Sequence, residues 1–190
     1  ACDKEGAVGR LGVVVHRRRE AQRRQRRRHL VDQVAADLVV VSLHWGTEYD
    51  SNPSRYQRDV ADQILTSKDI SVVIGCHAHV VQPIGKVKGT YVVWGMGNQL
   101  ANQRQVPKSD GITVIATAHR SRNGRWGIAG IEAVPTWIEA GSFRVLPIVA
   151  TLKNPATPPG LRAELTASYD RTVGVLRRQP TNGVTVAARP

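Results

Sequence analysis

The sequence predicts an α/β fold built on a parallel βαβ unit. Two β-branched runs, Leu38-Val-Val-Val-Ser-Leu-His44 and Ser71-Val-Val-Ile-Gly-Cys-His77, have the length and composition of buried strands. Residues 54–67 between them read as a helix. Pro53 lies just before it, Ser54 and Gln57 have the spacing of a capping box, and Tyr56, Val60, Ile64 and Leu65 form one apolar stripe. Such a crossover is right-handed and leaves its two strands parallel, so both runs end at the same carboxyl edge of one sheet. That edge is where open α/β sheets place ligands.

The first run ends in His44, and the second ends in His77 with His79 two residues on. Neighbouring strands lie ~4.8 Å apart and residues two apart in an extended segment point the same way, so three imidazoles can converge on one small volume. Converging imidazoles are the donor set of a metal site. His16, His29 and His119 have no such company and read as polar residues at a sheet rim or surface. Glu48 and Asp50 are the nearest carboxylates, and Glu48 reads equally as a ligand or as a hydrogen bonder in a loop. Cys76 abuts His77; a small buried residue at a strand end is the preferred reading over a thiolate ligand.

With their flanks these residues resemble the bacterial capsule-synthesis CapA family, poly-γ-glutamate biosynthesis proteins within the calcineurin-like metallophosphoesterase superfamily. His44-Trp45-Gly46-x-Glu48-Tyr49 is similar to that family's HWGxEY box, with Pro53 and Gln57 where its next helix begins. Gly75-x-His77-x-His79-Val-Val-Gln82-Pro83 is similar to its GxHxHVxQP box, and Tyr91-Val-Val-Trp94-Gly-Met-Gly97-Asn98 to its YSLGNF strand. The resemblance covers residues 37–98 and continues more loosely to Pro147. It implies a metallophosphoesterase-type β-sandwich flanked by helices, with His44, His77 and His79 as metal ligands. It also implies a divalent ion (zinc, manganese or iron), a phosphoester or anionic-polymer substrate with His44, His77 and Asn98 beside the reacting group, and a place in the cell envelope.

The family's amino-terminal half supplies an aspartate after the first strand, a further glutamate and an Asn-His pair, and none of those boxes precedes His44. The expectation is therefore a fold incomplete on its amino-terminal side. Without a bridging carboxylate to hold two cations together, a single ion is expected, with metal-dependent hydrolysis requiring the missing half.

Beyond Asn98 the pattern turns antiparallel. Residues 112–118, a turn at Ser121-Arg-Asn123-Gly124 and residues 125–134 read as a hairpin, and residues 143–149 as a further strand, together forming a second sheet. Asn154-Pro-Ala-Thr-Pro-Pro-Gly160 breaks the chain, after which Leu161, Leu165, Tyr169, Val173 and Leu176 recur at helical spacing. The tail from Gln179 reads as loosely ordered.

A chain of 190 residues that is 41% hydrophobic has enough apolar content for a single packed domain, and no apolar run reaches membrane-spanning length. Residues 37–150 form the expected domain, preceded by a basic segment (1–36) and followed by a helix and tail (151–190). The chain opens Ala1-Cys2-Asp3 without an initiator methionine or an export signal, as expected of a fragment or a processed form. Two cysteines make no disulfide framework.

Of a net charge of +12, most sits between His16 and His29, where eight arginines face one glutamate. Such a tract suits an anionic polymer, or is a solvated run without a partner; it is also what a GC-rich gene read in the wrong frame produces. The absence of interleaved aromatics argues against nucleic acid. The competing function is thus a catalytically inactive fragment, or an anionic-polymer- or nucleic-acid-binding protein acting through this tract. Oligomeric state is not readable from the sequence.

Overall fold

The computed structural model describes residues 11–16 and 36–189 except 104 and 123, with side chains from residue 36 onward. The arginines of the basic tract, and His29, fall outside the described residues, and so do the expectations placed on them.

The first sheet contains β1 (Leu11–His16), β2 (Leu38–Trp45), β3 (Val72–His77), β4 (Ile84–Val87) and β5 (Thr90–Val93), in the order β1-β2-β3-β5-β4. Its three central strands are parallel, as the βαβ reading requires, and its two edges are antiparallel. The register sets His44 opposite Cys76 and Trp45 opposite His77. His44 and His77 therefore leave the sheet at the same edge.

Helix α1 (Arg55–Ile64) covers one face of this sheet. It opens with the expected capping box: Ser54 Oγ accepts from Gln57 N at 3.2 Å, and Gln57 Oε1 accepts from Ser54 N at 2.8 Å. Its buried face departs from the expected stripe. Ala61 and Leu65 pack against Val39, Val41, Leu43 and Val73, flanked by Val60 and Ile64, but Tyr56 is half exposed and the innermost place goes to Gln57. The reason is polar, because the Gln57 amide is needed inside to pair with Gln82.

Alternate residues of the strands point to the other face, where Val72, Val93, Tyr91 and Ile84 meet Ile112, Ile131 and Ala133 of a second sheet. That sheet is the predicted hairpin, β6 (Asp110–Arg120) and β7 (Trp126–Ile138), extended by β8 (Val145–Pro147). The strand expected over residues 143–149 is shorter than read, because Ile148–Lys153 forms helix α2. Ile148 and Leu152, four residues apart, both pack on Leu165, an arrangement a strand could not give. Helix α3 (Pro159–Leu176) buries Leu165, Val173 and Leu176 at the predicted spacing. The tail is more ordered than expected: Val184–Val186 forms β9, parallel to β7. The expected boundary after residue 150 falls inside α2, and Leu176 belongs to the same inter-sheet core as Ile112.

One buried ion pair ties α3 to this core. Asp110, 2% exposed, accepts from Arg171 Nε at 2.8 Å, Arg171 Nη2 at 2.9 Å and Ser168 Oγ at 2.7 Å. The hydrogen bonds to Asp110 push the Arg171 pKa further up, so the guanidinium stays charged. Among the described residues no helix is long and apolar enough to cross a membrane.

The tightest point of the fold is Gly75 in β3. A methyl carbon there would lie 2.0 Å from Trp94 O and 2.2 Å from Trp45 Nε1, which now share a 2.9 Å hydrogen bond. Gly75→Ala is expected to lower the unfolding free energy in urea by about 2–3 kcal/mol through overpacking and loss of that bond. Gly160→Ala, with nothing within 4 Å, should change it by no more than about 0.5 kcal/mol. Equal effects would contradict this packing.

Candidate metal centre

The carboxyl edge of the first sheet gathers Glu48, His77 and His79, whose ligand atoms all lie within 4.8 Å of one another. His77 ends β3, His79 lies in the turn beyond it, and Glu48 comes from the loop after β2. The backbone that brings them together is unusual. His77 has φ 99°, His79 φ 58° and Tyr49 φ 66°, all in the left-handed region that residues with a Cβ seldom enter. The two histidines therefore do not converge by strand alternation, as the sequence suggested; a tight turn redirects them. Tyr49 N donates to Ala78 O at 2.7 Å, clamping the Glu48 loop onto that turn.

His44 lies outside the group. Its ring is 4.4 Å from that of His77, centroid to centroid, and it is exposed to solvent, but it does not share the common volume. Glu48, which the sequence left undecided, is in the group. Its Oε1 lies 4.0 Å from His79 Nε2. Asp50 is not: its Oδ1 accepts from Asn52 N at 2.8 Å in a local turn. Cys76 packs its Sγ 3.4 Å from Leu43 O, and burial pushes its pKa up, which keeps it a thiol.

The protonation of the imidazoles suits a cation. Asn98, nearly buried, donates through Nδ2 to Lys108 O at 2.8 Å and to Gln103 Oε1 at 3.1 Å, which turns its Oδ1 toward His79 Nδ1 at 2.8 Å. His79 Nδ1 is thereby assigned a proton, and its Nε2 lies 4.0 Å from Glu48 Oε1. Burial, and then the charge of His44, hold the His77 pKa below the usual imidazole value, favouring a neutral donor. Two imidazoles and a carboxylate fit the three protein ligands of a centre that keeps an open position. Gly97 makes the Asn98 placement possible, since a Cβ there would sit 2.4 Å from Asp110 O.

Gln82 and Gln57 were visible in the sequence only as motif letters and a cap. Both are fully buried and bonded to each other: Gln57 Nε2 donates to Gln82 Oε1 at 2.8 Å and to Trp94 O at 3.1 Å. Gln82 Nε2 in turn donates to Asp50 O at 2.9 Å and Asn52 O at 3.1 Å, which fixes the end of the Glu48 loop. The signal that could have found them is an amide in the first turn of a helix facing a second amide in the segment that leads into β4.

Residues 5–103 match the family described as bacterial capsule synthesis protein PGA_cap. The chain is 31% identical over 120 residues to the PGA biosynthesis protein CapA of Bacillus subtilis (strain 168), covering 62% of this chain and 31% of that protein. It is 33% identical over 107 residues to the capsule biosynthesis protein CapA of Bacillus anthracis, covering 56% of this chain and 25% of that one. It thus spans about a third or less of the length of these curated relatives.

The gathered set makes a distinct prediction for zinc titration by calorimetry. His77→Ala and His79→Ala should abolish binding, and Glu48→Gln should weaken it at least ~10-fold, because each removes one of three ligands. Asn98→Ala should weaken it by roughly 10–100-fold, the usual cost of losing the group that orients a ligating histidine. His44→Ala should leave it nearly unchanged. Loss of binding in His44→Ala equal to that in His79→Ala would instead support a three-imidazole centre.

Proposed function

Because this chain belongs to the bacterial capsule synthesis protein family PGA_cap, we propose that it carries one metal-holding segment of a capsule-synthesis protein, with hydrolytic chemistry at a phosphoester or polymer linkage. The observation that supports this most directly is the convergence of Glu48, His77 and His79 at a strand edge, with the tautomer of His79 set by Asn98. A divalent cation bound there would lower the pKa of a coordinated water toward neutrality and polarise a phosphoryl or carbonyl oxygen.

The chain's own residues divide the remaining work. Glu48 neutralises part of the cation's charge, and His77 and His79 supply borderline nitrogen donors, which favour zinc, manganese or iron over magnesium. His44, whose exposed ring lies beside that of His77, would take or give a proton at a substrate atom in this reading. Asn98 holds His79 in one orientation and does not itself reach toward solvent, so its role is positioning. Among the described residues the gathered group holds one carboxylate, Glu48, and such a donor set suits one ion.

Two measurements on the 190-residue chain test this reading. Zinc titration should give a stoichiometry of about one with moderate affinity. Hydrolysis of bis(p-nitrophenyl) phosphate by the zinc-loaded chain should stay near background, because a single ion lacks the partner that stabilises the leaving oxygen in two-metal phosphoryl hydrolysis. Two bound ions, or robust turnover that His77→Ala abolishes, would refute the single-ion reading and mean that further groups complete the centre.

A further inference from the structure

Beside the candidate metal centre lies a cavity of about 470 Å³ lined by Tyr49, Asn102, Gln103, Gln105 and Lys108. Tyr49 alone separates the two. Its ring stacks on His79 at 6.0 Å on one side and carries Lys108 Nζ at 3.8 Å from its centroid on the other. Among the described lining residues the chemistry is one-sided, with one ammonium, three carboxamides and no carboxylate. Lys108 forms no ion pair among the described residues; its ammonium donates to Gln105 Oε1 at 3.2 Å and lies over the tyrosine face. Because Gln105 Oε1 accepts from Lys108, the Gln105 Nε2 hydrogens are left for a ligand. Asn102 makes no hydrogen bond among the described residues. Gln103 spends both ends internally, accepting from Asn98 and donating to Tyr49 Oη at 3.4 Å, and so joins the cavity wall to the group that orients His79.

A preformed cation flanked by amide donors, without a competing acid, is a receptor for an oxyanion. We propose that this cavity is an oxyanion subsite, binding a carboxylate or phosphate of the substrate next to the group held at Glu48, His77 and His79. The proposal rests on the metal reading for its role in catalysis, but not for the binding itself. An anion here would lie beside Tyr49, whose ring stacks on His79 at 6.0 Å, so it would bind next to the gathered donors and not among them. It would also offset the charge of Lys108, which has no acidic partner among the described residues.

The test uses the metal-free chain, with inorganic phosphate and glutarate as separate probes followed by amide chemical shifts. Saturable shifts are expected at Tyr49, Asn102, Gln105 and Lys108, at least fivefold weaker in Lys108→Met and retained in Lys108→Arg. Lys153→Met, which removes an exposed charge elsewhere, should bind like the parent. The Lys108 backbone oxygen that Asn98 uses is untouched by these changes. Tighter binding of glutarate than of phosphate would assign the subsite to a polymer carboxylate, and the reverse to a phosphoester. Shifts scattered over the surface, or equal binding by Lys108→Met, would overturn the proposal. Zinc titration without anion tests the metal centre alone, so failure there leaves the anion result standing on its own.

Discussion

The buried amide pair of Gln57 and Gln82 is the contact on which the geometry of this edge depends. One amide comes from the first turn of α1 and the other from the segment leading into β4. Together they satisfy the Trp94 carbonyl, the Ser54 amide and two carbonyls of the loop after β2. A buried polar group without a partner costs about 1–3 kcal/mol, so this network is stable only when all its members are in register. That requirement locks the helix, the Glu48 loop and the strand edge to one another. The imidazoles sit on a platform whose position is set by hydrogen bonds rather than by apolar packing.

A second line of contacts reaches the same place from the opposite sheet. Arg171 and Ser168 hold the Asp110 carboxylate, while the Asp110 backbone oxygen accepts from Asn98 N at 3.4 Å. Asn98 then faces His79. The carboxyl-terminal helix, nearly a hundred positions away in sequence, thus supports the orientation of one candidate ligand. Close approach at Gly97 makes this possible, because any side chain would hold β6 away.

Much of this was legible in the sequence. The βαβ unit, the capping box and the hairpin each follow a local pattern that the tertiary fold reinforces, and the motif boxes marked His77 and His79. What was not legible depended on contacts between distant segments. Glu48 could be told from a loop hydrogen bonder only by knowing that Tyr49 is clamped to Ala78. Strand alternation brought three imidazoles to this edge; left-handed backbone at His77 and His79 joins that pair to Glu48, while His44 stands beside His77. Tyr56 looked like a core residue by periodicity, but a polar network claimed the position beside it. The helix at Ile148 was hidden because a short apolar run fits either secondary structure until its partner, Leu165, is known.

The origin of the three gathered donors has one more consequence. Glu48 belongs to the chain before α1, and the two imidazoles to the end of β3 and the turn beyond it, about thirty residues on. An ion shared among them acts as a cross-link across the whole crossover, restricting the unfolded chain as a staple would and adding its binding energy to the native state alone. Occupancy and folding of the βαβ unit would then be linked, so that a bound ion would add to the stability of a unit already packed through its apolar core.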